Sequence, residues 1–384
     1  MVDMNEVFSL HEKHQGALSV TGTFQIKDKA DLGMAYTPGV AGIAKAIEAN
    51  PADKKRYTMA GKLIPVITDG SAVLGLGNVG PAAGLPIVEG KALIYKDFAG
   101  VDAIPMALDQ VSVDDFVKTV KTMAPSFAGI HLEDIAAPKV FEIEDRLSRE
   151  LDIPVYHDDQ TGTAIVVLAG LINAAKVVGK ELTDLKVVVN GIGASGVATA
   201  KLLLAAGITN QTLVDIDGVV RVGDNRYNRF QQDLAGQVHQ AEGSTLDEVI
   251  ADQDVFIGLS DEKVLSTAQV EKMAVDPIIF ALANPVPEIL PDEALAGGAA
   301  VVATGSSQWA NQVNNILAFP GLFKGLLASG LNHVDIDLQI QVAQALADQV
   351  SEVHTEKIVP GVFDEGVVAG VTAAVLAYAD QHRK

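Results

Sequence analysis

Two pairs of acidic residues follow two short apolar runs of this sequence and together have the chemistry of a cation site. Glu133 and Asp134 come directly after GIHL, and Asp158 and Asp159 come directly after PVYH. Between them the pattern predicts a helix over about residues 138–150, which makes a strand–helix–strand unit. Parallel strands of such a unit end at the same edge of a sheet, so we expect the two pairs to lie close together.

Four carboxylates at one edge would repel each other, and a divalent cation removes that penalty. The chain has no cysteine, so a metal must be held by oxygen or imidazole, and hard oxygen ligands select Mg²⁺ or Mn²⁺. The alternative is that Asp159 or Thr161 caps the following helix while Glu133 and Asp134 are solvated loop acids. Capping accounts for one acidic residue only, so the sequence favours a metal.

A glycine-rich loop later in the chain predicts a dinucleotide site. The sequence VVVNGIGASGVATAKLLLAAG contains an apolar strand, then Gly191, Gly193 and Gly196 in the spacing G-x-G-x-x-G, then a helix. The glycines permit a tight turn and close backbone approach, so that the helix N-terminus can bind a pyrophosphate. The alternative is a tight strand-to-helix turn without function. The complete strand, loop and helix favour dinucleotide binding.

Residues after the next predicted strand bear on the choice of nicotinamide cofactor. Asp215 ends TLVD about two dozen residues after the first glycine, where an acid binds the ribose hydroxyls. An acid there disfavours a 2′-phosphate, so NAD is preferred to NADP. Arg221 and Arg226 lie close enough in the sequence to keep NADP open.

The composition excludes several classes of function. The 384 residues include 49 acidic and 28 basic ones, a net charge of −21, which disfavours nucleic acid and anionic membranes as partners. The absence of cysteine excludes disulfides and thiolate chemistry and suits a cytoplasmic protein. The most apolar segment, Thr163 to Gly179, is shorter than a bilayer span and contains Asn173 and Lys176. We therefore expect a buried core helix there and no membrane span.

Positioning these groups requires alternating strands and helices, a pattern that starts at about Lys62. Short β-branched runs separated by helix-length segments are typical of parallel α/β sheets. The first sixty or so residues look mostly helical, and the periodicity predicts helices over Leu338–Val353 and Asp364–Gln381. The strand-like runs are LIPVIT, KALIYK, FAGIHL, IPVY, KVVVN, QTLVDI, VFIGL, IIFALA and AVVAT.

We place a domain boundary near residue 160, which divides the chain into residues 1–160 and 161–384. A second set of strands and helices begins with LKVVVNGIGASG, after the long apolar helix. The helix from Thr163 would connect the two domains.

Several longer motifs resemble the malic enzymes, especially their short bacterial form. The resemblance implies oxidative decarboxylation of (S)-malate to pyruvate and CO₂ with NAD and Mn²⁺ or Mg²⁺. It also implies an N-terminal α/β malic-type domain followed by a doubly wound Rossmann-type NAD-binding domain. The motifs, from about residue 36 to residue 321, are YTPGVAGIAKAI, TDGSAVLGLGNVGPAAGLPIVEGKALIYKDFAGVDAIP, GIHLEDIAAP, HDDQTGTAIVVLAGLINA, GIGASGVATAKLL, ALANPVPEI and NNILAFPG.

The resemblance assigns roles to the residues that match its catalytic motifs. It implies that Tyr36 is the general acid, that Lys91 is the general base and that Asp158 sits beside the base. A lysine base needs a lowered pKa, and Asp158 would oppose that change, so we expect Lys91 and Asp158 to titrate as a coupled pair. The metal ligands implied are Glu133, Asp134 and Asp159.

The resemblance also implies the residues that contact the cofactor and the substrate. Asn284 would contact malate or the nicotinamide end, and so would Asn314 or Asn315, between which the motif does not choose. Longer family members have an arginine for a substrate carboxylate where this sequence has Val73. Backbone N–H groups of the glycine-rich stretch or the metal would then bind that carboxylate. The cofactor loop comprises Gly191, Gly193, Ala194, Ser195 and Gly196, and Ile216 and Asp217 follow Asp215 where NADP-preferring members often have a basic residue.

Two other functions remain open. A malolactic reaction would convert malate to lactate and CO₂ with the same residues, and a non-catalytic metabolite sensor would keep only the nucleotide fold. The helical first sixty residues and the C-terminal helices predict a homodimer or a higher homo-oligomer.

Overall fold

The structure is a computed structural model that describes residues 3–73 and 75–382, and it contains two β-sheets with helices packed around them. Strands and helices alternate along the chain, which confirms the α/β fold class. The helices of the first part are α1 Met4–His14, α2 Lys29–Ala35, α3 Gly39–Ala49, α4 Lys54–Tyr57, α5 Gly80–Ile94, α6 Val113–Met123 and α7 Lys139–Glu150. Those of the second part are α8 Thr163–Val178, α9 Ala194–Ala205, α10 Arg229–Ala235, α11 Leu246–Val249, α12 Thr267–Val270, α13 Pro291–Ala296, α14 Phe319–Ser329, α15 Ile336–Asp348 and α16 Val367–His382.

The first sheet has four parallel strands in the order β2-β1-β3-β4. In the pairing of β3 with β4, Leu132 lies opposite His157. Glu133 and Asp158 therefore follow at neighbouring positions on the C-terminal edge of the sheet. The strands are β1 Leu63–Thr68, β2 Asp102–Ala107, β3 Ile130–Glu133 and β4 Val155–His157.

One predicted strand of this sheet is wrong. The run KALIYK lies in the last turn of α5 and in the π-helical turn Tyr95–Ala99. The strand beside β1 is instead DAIPMA, which forms β2 at the edge of the sheet. Alanine and leucine favour a helix, and Pro105 is tolerated because β2 is an edge strand.

The second sheet has six strands in the order β10-β9-β8-β5-β6-β7, and only β7 runs antiparallel to its neighbour. The chain reverses direction across the sheet at β5, so a crevice opens beyond the C-terminal ends of β5 and β8. This is the doubly wound arrangement that the motifs implied. The strands are β5 Val187–Asn190, β6 Gln211–Asp215, β7 Gly218–Val219, β8 Val255–Gly258, β9 Ile278–Ala281 and β10 Val301–Thr304.

Helix α8 lies at the centre of the molecule and packs on α9 and α15. All residues from Ala164 to Ala175 are buried, as expected for a core helix. By length and composition the segment Asp158–Val178 could cross a membrane, yet 78% of its most apolar window is buried inside the protein. Core helices of soluble proteins share this property.

The N-terminal segment has no core of its own. Helices α1 to α4 bury none of their residues, and the first buried residue among those described is Ala60. Large apolar side chains here face solvent, including Phe8, Val20 and Phe24, which are 68%, 90% and 70% exposed. The predicted helical character of this segment is correct.

Candidate active site

The C-terminal ends of β3 and β4 bring the predicted acidic residues together. Oxygen atoms of Glu133, Asp134 and Asp159 all lie within 4.8 Å of one another. The backbone N–H of Asp134 donates to Oδ2 of Asp159 at 3.1 Å, which joins the two strand ends. Glu133, Asp134 and Asp158 are buried, and the Asp159 side chain is 26% exposed. We call these four residues the acidic cluster.

The residues after β4 form a π-helical turn, Asp158–Gly162, that leads directly into α8. The side chain that caps this turn is His157, whose Nδ1 accepts the N–H of Gln160 at 3.3 Å. Helix α8 itself has no side-chain cap. The capping alternative for Asp159 and Thr161 is therefore wrong.

Lys91 lies in the last turn of α5, and its ammonium enters the acidic cluster. Nζ pairs with the carboxylate of Asp158 and lies 3.0 Å from Oε1 of Glu133. It also lies 5.1 Å from the centre of the Phe319 ring, within the range of a cation–π interaction. His131, Glu133 and Asp158 also have the spacing of metal ligands, but the Lys91 ammonium already supplies positive charge there.

Burial and mutual repulsion change the ionisation of the acidic cluster. Burial raises the pKa of Glu133 to about 7, although Lys91 opposes the change. Burial and then the Glu133 charge raise the pKa of Asp134 to about 8 and that of Asp159 to about 6. Burial also acts to raise the pKa of Asp158, but Lys91 outweighs it and the pKa falls.

The pKa of Lys91 moves against the direction that a general base requires. Burial lowers it, but the charges of Asp158, Glu133 and Asp159 outweigh burial, and the net pKa is raised. Asp158 therefore acts as expected, because its charge raises the pKa of Lys91. In this arrangement Lys91 is an ammonium ion.

Three buried aromatic side chains that the sequence did not single out lie behind the acidic cluster. The Tyr156 hydroxyl donates to Asp158. Nε2 of His131 lies 2.7 Å from Oε2 of Glu133, and the Tyr95 hydroxyl lies 2.8 Å from Nδ1 of His131. On a strand, residues two apart point to the same face. For His131 and Glu133, which both lie on β3, this spacing was the available signal, whereas Asp158 lies in the turn beyond β4 and its contact with Tyr156 had no such signal.

The predicted cofactor loop joins β5 to α9 at the crevice of the second sheet. Gly191 has φ +97°, and a Cβ there would lie 2.5 Å from the carbonyl oxygen of Leu259. A Cβ at Gly196 would lie 1.9 Å from the carbonyl oxygen of Gly191, whereas one at Gly193 would meet open space. The loop needs Gly191 and Gly196 for its own packing, and Gly193 leaves room for a ligand. The first residues of α9 are Ala194, Ser195 and Gly196.

Asp215 lies at the end of β6, as predicted, and its position is fixed by α10. Its Oδ2 accepts a hydrogen bond from Nε2 of Gln231 at 3.0 Å. The same nitrogen donates to the carbonyl of Ile192 at 2.7 Å. Gln231 therefore links the acid to the glycine-rich loop.

The two arginines near Asp215 are already engaged elsewhere. Arg226 makes four hydrogen bonds from its side chain, three to the Asp224 carboxylate and one to the Asp217 carbonyl. Arg221 donates to the carbonyl of Gly243 at 2.6 Å. Both guanidinium groups therefore already donate to protein acceptors.

Asn284 follows β9 and precedes Pro285 through a cis peptide bond. Its carbonyl oxygen would lie 2.9 Å from a Cβ added at Gly75, so the glycine-rich stretch of the first part packs against this loop. The structure thus places Asn284 where the two parts of the chain meet.

The paired asparagines differ in their surroundings. Oδ1 of Asn314 accepts the N–H of Ile316 and so caps the short 3₁₀ turn Asn315–Leu317. The Cβ of Asn315 would lie 3.0 Å from a Cβ added at Gly162, next to the acidic cluster. Only Asn315 combines proximity to the turn after β4 with a side chain free of a capping role.

Two further predicted positions, Tyr36 and Val73, differ in their burial. Tyr36 follows α2 and is 67% exposed, and its hydroxyl has no hydrogen-bond partner among residues 3–73 and 75–382. Val73 is buried in a tight turn in which its N–H and carbonyl both bond to Gly77. Where longer family members have an arginine, this chain therefore has a buried apolar residue in a tight turn.

Comparisons with known proteins cover nearly the whole chain. Residues 15–112 and 110–148 match the family model of the malic enzyme N-terminal domain, and residues 160–379 match that of the malic enzyme NAD-binding domain.

Similar sequences and structures have the same family name. A bifunctional malic/malolactic enzyme from Bacillus subtilis is 46% identical over 96% of this chain and 91% of that protein. An NAD-dependent malic enzyme from Geobacillus stearothermophilus is 46% identical over 94% of this chain and 76% of that protein. The crystal structure of an NAD-dependent malic enzyme from Thermotoga maritima superposes with a TM-score of 0.94, at 41% identity, over 98% of this chain and 99% of that one.

Proposed function

The chain belongs to the malic enzyme family, and on that premise we propose that it oxidatively decarboxylates (S)-malate to pyruvate and CO₂ with NAD and Mn²⁺ or Mg²⁺. Membership confirms the resemblance read from the motifs and the order of the two folds, the malic-type one first and the NAD-binding one second. The observation that carries the proposed reaction is the acidic cluster with the Lys91 ammonium paired to Asp158 and Glu133.

A divalent cation fits the residues at the ends of β3 and β4. Glu133, Asp134 and Asp159 offer oxygen atoms within 4.8 Å of one another, the donor type that Mg²⁺ and Mn²⁺ prefer. Nε2 of His157 is buried without a hydrogen-bond partner among the described residues, 3.5 Å from Asp159, so the site is not satisfied by protein atoms alone. The three carboxylates would hold the ion, which supplies Lewis-acid polarisation of the substrate oxygens when bound.

Lys91 is the proposed general base, and Asp158 is its partner. The Asp158 carboxylate receives both the Lys91 ammonium and the Tyr156 hydroxyl, which fixes the amine in the cluster. If Glu133 and Asp159 serve as metal ligands, Lys91 keeps only one acidic partner. Its pKa would then fall towards the range that a base needs.

The glycine-rich loop and Asp215 are the proposed NAD site. When bound, the nicotinamide supplies the hydride acceptor. Gly193 leaves space beside the N-terminus of α9 for the pyrophosphate, and Asp215 is held towards the loop by Gln231. Because Arg221 and Arg226 are engaged with other partners, we propose NAD rather than NADP.

Asn315 and Asn284 are the proposed amide contacts of malate and the nicotinamide. Asn315 is favoured over Asn314 because the Asn314 side chain caps the following turn. With Val73 buried, the substrate carboxylates would depend on backbone N–H groups of the glycine-rich stretch and on the metal.

An assay of the purified protein with malate, Mn²⁺ and each nicotinamide tests the proposal. We expect NADH and pyruvate to form in equal amounts, faster with NAD than with NADP. Absence of both products with either cofactor would contradict it.

The malolactic reaction is the second candidate, favoured by the identity to the bifunctional relative from Bacillus subtilis. In that case the nicotinamide is reduced and reoxidised without release. Lactate with no net NADH would select this reaction. A non-catalytic sensor is not favoured, because the relatives that match over 94% and 96% of this chain are enzymes.

We also propose that the protein is a homo-oligomer assembled through its N-terminal segment. Exposed apolar patches of this kind mark interaction surfaces. Short helices that pack against nothing are only marginally stable in water. Tyr36, the proposed general acid, belongs to this segment, so assembly would also decide where its hydroxyl lies.

Light scattering after size exclusion tests the assembly. We expect at least twice the chain mass of 40.2 kDa, and a lower mass for the double variant Phe8→Glu/Phe24→Glu. Phe363→Glu, at a site that is 89% exposed outside this segment, is the control and should keep the parent mass. A parent protein of 40.2 kDa would contradict the proposal.

A further inference from the structure

A continuous chain of hydrogen bonds lies behind Glu133, on the side away from solvent. The Tyr95 hydroxyl lies 2.8 Å from Nδ1 of His131, and Nε2 of His131 lies 2.7 Å from Oε2 of Glu133. Tyr95 and His131 are fully buried, and Glu133 is 3% exposed. Among the described residues, the side chains of Tyr95 and His131 make no hydrogen bonds other than these two.

The chemistry of the three groups fixes the direction of this chain. A carboxylate ligand accepts hydrogen bonds, so Nε2 of His131 must carry the proton that faces Glu133. With the proton on Nε2, the other nitrogen of a neutral imidazole, Nδ1, is an acceptor. The Tyr95 hydroxyl is the donor to that acceptor and thereby selects the Nε2–H tautomer.

The surrounding packing leaves the His131 ring little freedom. The rings of Tyr95, Tyr156 and Phe319 meet it edge-on with centroids 5.3 to 5.8 Å away. The ring of Phe323 stacks on it at 6.2 Å. A ring fixed in both orientation and tautomer presents its N–H at one place only.

The Glu133 carboxylate is consequently held from two sides. Oε2 receives the N–H of His131, and Oε1 lies 3.0 Å from the Lys91 ammonium. The remaining lone pairs of the two oxygens can bind a cation shared with Asp134 and Asp159.

We propose that His131, set in one tautomer by the Tyr95 hydroxyl, is a positioning residue that orients Glu133 as a metal ligand. The proposal rests on the metal site of the proposed function and adds a buried support to it. Partners of this kind behind metal ligands generally change metal affinity by about 10- to 100-fold when they are removed.

Calorimetric titration of Mn²⁺ into the full-length protein tests this role with three variants. His131→Leu introduces an apolar side chain that has no donor, whereas His131→Gln can place an amide N–H near the position of Nε2. Tyr95→Phe loses only the hydroxyl. Relative to the parent, we expect Mn²⁺ affinity to fall about 10- to 100-fold for His131→Leu and several-fold for Tyr95→Phe. His131→Gln should bind within about three-fold of the parent, because it restores the donor.

Tyr378→Phe is the matched control, since it also removes a buried hydroxyl that donates to a carboxylate, that of Asp335 at the N-cap of α15. It should leave Mn²⁺ affinity unchanged, and thermal melting with NAD binding checks the fold of every variant. Unchanged affinity in His131→Leu would overturn the inference. Equal losses in His131→Leu and His131→Gln would also overturn it, because packing and not the N–H would then matter. A parent that binds no Mn²⁺ would instead remove the metal site itself, and the inference with it.

Discussion

At the scale of single residues, the acidic cluster buries negative charge with little positive charge to balance it. Its four carboxylates meet Lys91 and no other lysine or arginine among the described residues. Burying an unpaired carboxylate is costly, and the group responds by holding its proton to higher pH. The raised pKa values of Glu133, Asp134 and Asp159 follow from this shortage of charge.

The first prediction concerns the proposed base. Lys91→Ala should lower kcat for malate oxidation by about 10²- to 10⁴-fold, the usual contribution of general acid–base catalysis, while NAD binding stays unchanged. Lys96→Ala, which removes an exposed lysine paired with Asp102, is the control and should keep full activity. Unaltered turnover in Lys91→Ala would remove this residue from the mechanism.

The second prediction concerns the ligand that was also a candidate helix cap. Asp159→Ala should weaken Mn²⁺ binding by more than about 100-fold, because losing a direct ligand costs at least as much as losing a partner behind one. Calorimetry measures the affinity. Asp145→Ala, which removes an exposed acid paired with Arg149 on α7, serves as the control. If Asp159→Ala bound Mn²⁺ like the parent, Asp159 would have a structural role only.

Spacing in the sequence was enough to find the acids but not their partners. Strand ends and acidic pairs are local features, so Glu133 and Asp159 could be predicted. The contacts of Tyr95 with His131 depend on how α5 and the following π-helical turn pack on the sheet. No local pattern determines that distance.

At the scale of elements, the site depends on strand register and on the loop between β5 and α9. The β3–β4 register sets Glu133 beside Asp158, and a shift of one residue would turn these side chains to the opposite face. The missed strand β2 and the helix assigned as a strand both arise from short apolar runs. In such runs periodicity alone does not separate a buried strand from a buried helix.

The third prediction separates the two uses of glycine in the cofactor loop. Gly196→Ala should lower the free energy of unfolding by about 1–3 kcal/mol, because its Cβ would overlap the carbonyl of Gly191. Gly193→Ala should leave stability unchanged and weaken NAD binding, because a methyl group would enter the space for the pyrophosphate. Chemical denaturation and NAD titration measure the two effects. NAD affinity equal to that of the parent in Gly193→Ala would contradict the proposed site.

The fourth prediction concerns Glu144, a half-buried residue of α7 that accepts a hydrogen bond from Gln160. Burial raises its pKa from 4.5 to about 7. Between these values the unfolded chain has lost the proton that the folded chain keeps, so rising pH favours unfolding. Below about pH 4.5 both states are protonated, and the effect vanishes.

Glu144→Gln removes this titration. The difference in free energy of unfolding between Glu144→Gln and the parent, measured with urea, should therefore change in favour of the variant. We expect a change of up to about 3 kcal/mol as the pH rises from about 4 to about 8. A difference that stays constant across this range would contradict the role given to Glu144.

At the scale of the whole molecule, the sequence was sufficient for the fold class and for the order of the two folds. Strand-helix alternation and the glycine loop determine those features through local pattern. The packing of α1 to α4 is a different case, because these helices bury no residue within one chain. In the proposed assembly, the position of Tyr36 relative to the acidic cluster would depend on a neighbouring subunit, and no local sequence pattern determines such a contact.

We propose above all that carboxylates at the ends of two neighbouring strands bind one divalent cation. A crystal soaked in Mn²⁺, with the metal located by its anomalous scattering, tests it most directly. We expect one anomalous peak per chain bonded to oxygen atoms of Glu133, Asp134 and Asp159, at about 2.0–2.3 Å. A peak elsewhere, with these three carboxylates turned away from each other, would contradict the account.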